Sequence, residues 1–203
     1  MISGIFSVRR VGRTVAASAA AGVLVLALAA AHAAGASHRA PRTSFTFTMV
    51  RTPGVTCLPN ARGSVTIVRG SLNETMTVTV HGLPHNTGFD LFVIQVPNKP
   101  FGVSWYQTDV HTGDHGTGTA TVRGVFNKET FSVSVGGTTT FVPTHQFHLG
   151  LWFNNPNVPF NLGCEGAATV PIVTPFNGAQ HAGIQILNTS NFPDNAGPLS
   201  HVK

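Results

Sequence analysis

Glu74-Thr75-Met76-Thr77-Val78-Thr79-Val80-His81 puts Met76, Val78 and Val80 on one side of an extended chain and Thr75, Thr77 and Thr79 on the other. Successive side chains of a β-strand point to opposite faces, so this alternation marks a strand with one face in a core and one in water. A helix would scatter the same residues around its circumference. The pattern recurs upstream. Ser44-Phe45-Thr46-Phe47-Thr48-Met49 sets Phe45, Phe47 and Met49 against serine and threonine, and Ser64–Val68 repeats it in shorter form.

Downstream, Gly82-Leu83-Pro84-His85-Asn86-Thr87-Gly88 has the composition of a turn, each of its glycine, proline and asparagine residues for a different backbone reason. The run that follows, Phe89–Val96, is apolar on both faces and predicts a central strand covered on both sides. Val103–Val110, Thr117–Phe126, Thr130–Val135, Gln146–Phe153 and Gly183–Leu187 are further candidates, separated by stretches rich in Gly, Pro, Asn and Asp. Val170–Val173 contains Pro171 and is at best an edge strand. No stretch after the N-terminal segment carries apolar residues at three- and four-residue spacing over ten positions. With only 9% charged residues, the chain also lacks the Glu/Lys pairs of exposed helices. Nine short candidate strands predict an all-β, antiparallel sandwich of immunoglobulin-like type, with a small closed barrel as the alternative.

The N-terminus reads differently. Arg9, Arg10 and Arg13 precede an unbroken run of apolar and small residues from Val15 to Ala31, and Ala31-His32-Ala33 follows. A basic region, an apolar region and an A-x-A site are the order of a secretory signal. The apolar run falls short of the roughly 20 residues that span a bilayer. The expectation is a signal peptide at 1–33, a disordered lead-in at 34–43, one β-domain at 44–190 and a C-terminal tail at 191–203. The protein is then secreted, and it meets the membrane only during export. The Arg9-Arg10 pair raises the twin-arginine route beside the general one.

Export changes the charge argument. The whole chain carries a formal +5, but without Arg9, Arg10 and Arg13 nine basic residues face seven acidic ones. No Lys/Arg run remains that could neutralise several phosphates, so nucleic acid is excluded as a partner. Export also favours pairing of the two cysteines, Cys57 and Cys164. Such a bridge closes a loop worth roughly 4–5 kcal/mol in the chain-entropy model.

Candidate chemistry is sparse. Asp109-Val110-His111-Thr112-Gly113-Asp114-His115 gathers two carboxylates and two imidazoles, donors that suit zinc or copper. The same residues serve equally as a Gly-rich hairpin loop, and the spacing matches no specific metal motif. His145 and His148 stand three apart, which on a strand separates their faces. There is no Gly-x-Ser-x-Gly elbow, and seven carboxylates leave few candidates for a glycosidase pair. Trp105-Tyr106 and Trp152-Phe153 are adjacent aromatic pairs. On strands each should send one ring inward and one outward, where a sugar or an apolar partner could stack.

Val80-His81-Gly82-Leu83-Pro84 followed by Phe89-x-Leu91-Phe92-Val93 resembles a strand–turn–strand of bacterial extracytoplasmic β-sandwich domains, the outer domain of anti-sigma-K-type regulators among them. The likeness spans about 15 residues and implies fold and compartment only, because no sigma-binding segment precedes the apolar run. The functional expectation is a non-catalytic secreted or cell-envelope protein without a cofactor, recognising a protein or carbohydrate surface. The alternative is a metal-binding protein or metal-dependent enzyme using Asp109, His111, Asp114 and His115.

Overall fold

The computed structural model describes residues 43–126, 130–143, 145–175 and 181–202. The expected signal peptide at 1–33, and the lead-in at 34–43 apart from Thr43, lie outside the described residues. In chain order the strands are β1 (Ser44–Arg51), β2 (Arg62–Val68), β3 (Glu74–His81), β4 (Gly88–Ile94), β5 (Ser104–His111), β6 (Gly118–Gly124), β7 (Thr130–Val135), β8 (Thr138–Pro143), β9 (His148–Phe153), β10 (Thr174–Pro175), β11 (His181–Ala182) and β12 (Gln185–Asn188).

Eight of them form one sheet in the order β5-β4-β9-β12-β1-β2-β3-β6, and every pairing is antiparallel. The two end strands, β5 and β6, are consecutive in the chain and pack against each other without a ladder between them. The all-β, antiparallel expectation therefore holds. The single curved sheet corresponds to the barrel alternative rather than to two separate sandwich layers. β1 makes the corner: Ser44–Met49 pair with β2, while Val50 and Arg51 pair with β12.

The alternation sets the inside. Met49, Val65, Ile67, Met76, Val78 and Val80 come from one half of the sheet, and Phe89, Leu91, Leu149, Leu151, Phe153 and Leu187 from the other; all are buried in one cluster. Burial of each such side chain stabilises by roughly 1.5–3 kcal/mol. Gly82 opens the β3–β4 turn at φ 69°, a conformation that favours glycine, and a Cβ there would collide with the Asn60 carbonyl. β4 is buried along almost its whole length for the reason its sequence implies. Phe89, Leu91 and Val93 face the core, while Phe92 and Ile94 join Trp152 and Ala182 in a second, outer cluster against Phe101.

Cys57 and Cys164 are bonded, with Cα atoms 4.7 Å apart across 107 residues of sequence. Other expectations need correction. Thr138–Pro143 pairs with Thr130–Val135 around Gly136 and Gly137, both at positive φ; a two-residue Gly-Gly turn is a hairpin signal that strand alternation alone overlooks. Val170–Val173 forms no strand, and the short pairing falls on Thr174–Pro175 instead. Residues 191–202 do not trail away. Leu199 and Val202 sit in the core, and a 3-10 turn at Pro198–His201 brings them there. His148 fastens this segment: its Nδ1 bonds Thr189 Oγ1 at 2.9 Å and its Nε2 bonds the Asp194 carbonyl at 3.1 Å. Burial lowers the pKa of His148, which stays neutral with both ring nitrogens partnered. Among the described residues no helix is long and apolar enough to cross a membrane.

Candidate functional site

Asp90 is the one charged residue in the apolar strand β4, and its side chain is 1% exposed on the outer face of the sheet. Its cross-strand partner on β5 is another carboxylate, Asp109. Like charges directly opposite one another destabilise a sheet, and Asp109 accordingly adds to the rise of the Asp90 pKa. Asn154 Nδ2 donates to Asp90 Oδ1 at 3.0 Å, and the Tyr106 hydroxyl donates to Asp109 Oδ1 at 2.8 Å.

A bulge makes the Tyr106 contact possible. β4 and β5 pair Asp90 with Asp109 and Leu91 with Thr108, but then Phe92 with Tyr106, so Gln107 is the extra residue. In a regular strand positions three apart face opposite ways; the added residue turns Tyr106 to the face of Asp109. The electrostatics follow. Burial raises the pKa of Asp90 most, the bond from Asn154 opposes it, Asp109 adds to the rise, and His111 works against it. Tyr106 is pushed up to about 12, by burial first and then by Asp109. It therefore remains a phenol, and a donor, at any physiological pH.

Asp90 and Tyr106 line a cleft of about 1130 Å³. Phe92 and Trp152 form its floor, their rings 5.4 Å apart and edge to face. Phe101 crosses Trp152 at 4.9 Å and Tyr106 crosses Phe92 at 5.6 Å, in the same manner. The wall carrying Lys99, Pro100 and Phe101 is a strap between β4 and β5, with a cis bond at Lys99-Pro100. Backbone bonds from Gln95 to Val103 and from Val96 to Phe101 close the strap, and Asn188 Nδ2 holds the Pro97 carbonyl at 3.0 Å. Thr174 and Pro175 form the facing wall. The cleft thus joins aromatic rings to the phenol hydroxyl of Tyr106 and the buried carboxyl of Asp90.

The four residues read as metal candidates divide. Asp109 belongs to the acid pair. His111 is also on β5, and its ring lies beside Gly88: a Cβ on that glycine would come within 3.2 Å of the imidazole and 3.6 Å of the Asn154 side chain. Asp114 is in the β5–β6 turn, where its Oδ1 accepts from Asn86 Nδ2 at 3.0 Å, and His115 is exposed in the same turn. Among the described residues no three His, Cys, Asp or Glu side chains converge so as to hold a metal ion.

The aromatic pairs divide between the two faces of the sheet as expected, but their exposure does not follow the division. Trp105 and Tyr106 stand opposite Val93 and Phe92, past the bulge, and both are half-exposed. Tyr106 borders the cleft, and Trp105 lines a smaller cavity of about 470 Å³ at the seam between β5 and β6, with Val122 and Phe126. Trp152 does point to the outer face, but Phe101 covers it, while Phe153 is in the core. Sequence reasoning missed Asp90, Asn154 and Phe101. Asp90 had a signal: a single carboxylate in the middle of Phe89-Asp90-Leu91-Phe92-Val93-Ile94 is either costly or useful. No family model and no curated protein matches the chain.

Proposed function

We propose that this is an exported, non-catalytic binding protein that takes a neutral, hydroxyl-rich ligand, a carbohydrate, into the cleft lined by Phe101, Tyr106 and Asp90. The observation that carries this reading is the joining of aromatic rings to the phenol hydroxyl of Tyr106 and the carboxyl of Asp90 in one concave site. Sugar rings present apolar C–H faces and polar edges, and they are held by that combination. The cleft volume suits one or two pyranose rings.

Export rests on the residue order at 1–33 and accords with the Cys57–Cys164 bond. The resemblance of the β3–β4 segment to extracytoplasmic domains supports the same compartment. The test is a glycan array probed with protein purified from the culture medium. The reading expects retention on a subset of neutral glycans, lost in Tyr106→Ala and Phe101→Ala while both variants remain folded. An array on which neither wild type nor variants bind any neutral glycan sinks it. N-terminal sequencing of the same sample checks export, with a mature start near Ala34 or Ser37 expected.

A further inference from the structure

We infer that the groove where β1 parts from β2 is an oxyanion site, in which Arg51, Arg62 and His81 hold a phosphate or sulfate group. The groove shares no lining residue with the aromatic cleft, so this inference stands or falls apart from the carbohydrate reading.

The sheet makes the groove. The β1–β2 ladder ends where Met49 meets Gly63, and Val50 and Arg51 pair with β12 instead. Between the diverging chains lies a groove of about 640 Å³, lined by residues 48–51 on one side and 61–64 on the other, with Pro59 and His81. Arg51 Nη1 donates to the Cys57 carbonyl at 3.0 Å, and Arg62 Nη1 to the Asn60 carbonyl at 3.2 Å. Both anchors belong to the loop that the Cys57–Cys164 bond ties down. A guanidinium has five N–H donors. One bond to a tethered carbonyl therefore fixes each group and leaves most of its donors for a ligand.

Charge points the same way. No carboxylate lines the groove, and among the described residues none pairs with Arg51, Arg62 or His81. Arg62 stands directly opposite His81 on the β2–β3 ladder. A protonated imidazole there repels the guanidinium, a cost that a bound anion offsets. His81 Nδ1 meets the Thr117 hydroxyl at 3.4 Å; with Thr117 donating, Nε2 carries the proton and can give it to a ligand oxygen. Thr48 and Ser64, opposite each other on the β1–β2 ladder, add hydroxyls. A planar carboxylate is satisfied by one guanidinium fork. Donors arriving from three strands match a group whose oxygens point in several directions, which is a tetrahedral oxyanion. The groove is larger than such an ion and has room for the molecule that carries it.

The experiment titrates the whole mature protein, at low ionic strength, with sodium phosphate, sodium sulfate, sodium acetate and glycerophosphate. NMR of the backbone amides and the arginine Nε groups reads the response. The expected result is a saturable shift at Thr48, Arg51, Arg62, Ser64 and His81 with phosphate or sulfate, weakened by added sodium chloride. Acetate should bind roughly tenfold more weakly, since it uses one fork only. Arg51→Gln and Arg62→Gln should each lose roughly ten- to hundredfold, the worth of a hydrogen bond between charged groups. Arg51→Lys, which keeps the charge without the fork, should recover only part of the loss. Arg123→Gln removes the same charge from an exposed position on β6 and should bind as wild type does. Glycerophosphate binding more tightly than phosphate would identify an ester as the natural source, and equal affinity the inorganic ion. Should Arg51→Gln melt well below wild type, the exposed Arg62 gives the deciding variant. Shifts that never saturate, acetate binding as tightly as phosphate and sulfate, or an equal loss in Arg123→Gln would each overturn the inference.

Discussion

The outer surface of the sheet has two regions built from the same kind of strand. On β1, β2, β3 and β6 the outward residues fall in register as Thr46, Thr66, Thr77, Thr121 in one row and Thr48, Ser64, Thr79, Thr119 in the next. These hydroxyls bond their neighbours across the strands, at 3.0 Å for Thr46–Thr66, 3.2 Å for Thr77–Thr121 and 3.1 Å for Thr79–Thr119. On β5, β4 and β9 the outward residues are Asp90, Phe92 and Trp152, beneath a strap and a second apolar cluster. The difference lies in water. The threonine face is hydrated, so its polar groups cost little and are worth little to one another. The covered face has lost water, so the pKa of a carboxyl there is raised, and its rings line a cleft. Layering a loop over a strand turned an ordinary sheet face into a site.

The comparison predicts unequal sensitivity. Trp152→Ala removes the floor of the covered face and should destabilise the protein by about 3–5 kcal/mol in denaturant unfolding, as aromatic deletions in cores do. A loss below 1 kcal/mol would mean the outer cluster is not packed as a core. Cys57→Ser should cost roughly 2–5 kcal/mol. The bridge lies on the covered side, since Cys164 shares a cavity wall with Lys99 and Phe101. Hydrogen exchange should therefore show the strap losing protection before β2 and β3. Uniform loss along the chain would erase the distinction.

A smaller effect has a definite sign. Because the folded-state pKa of Asp90 is raised above its ordinary 3.8, the folded protein holds a proton that the unfolded chain releases. Stability then declines as pH rises from that value through the folded-state pKa. Asp90→Asn should flatten this decline and melt higher than wild type at neutral pH. His148 works in the opposite direction. Its pKa is lowered from 6.5, so stability declines as pH falls below that value, and His148→Gln should reduce the acid limb. Melting temperature measured against pH for the two variants and wild type checks both signs. Least of all, Thr77→Val with Thr121→Val should change stability by about 0.5 kcal/mol or less. A change of several kcal/mol would show the threonine rows to be more than a hydrated surface.

Much of the fold was legible because period-two alternation is a local property. Glu74–His81 is read from its own residues, and the apolar Phe89–Val96 run announced a strand covered on both faces. The bridge was legible from an even cysteine count in a chain whose N-terminal residues read as an export signal. The site was not, because it depends on register. Nothing local to Asp90 says that Asp109 stands opposite, and nothing in Trp105-Tyr106-Gln107 says that one residue bulges out and swings Tyr106 to the other face. Asp109, His111, Asp114 and His115 are neighbours in sequence, yet only Asp109 joins the acid pair, because the β5–β6 turn carries Asp114 and His115 away. Burial of Leu199 and Val202 was hidden for a similar reason: a short Pro- and Gly-rich segment shows no periodicity even when two of its side chains fill a core.

The central claim is that the covered face, and not the threonine face, receives the ligand. Backbone amide NMR of the mature protein, titrated with a neutral glycan that the array retains, tests it most directly. The account predicts shift changes concentrated at Asp90, Lys99, Phe101, Tyr106 and Asp109, with β2 and β3 unmoved. Changes centred on Thr66, Thr77 and Thr121, or spread evenly over the sheet, would contradict it.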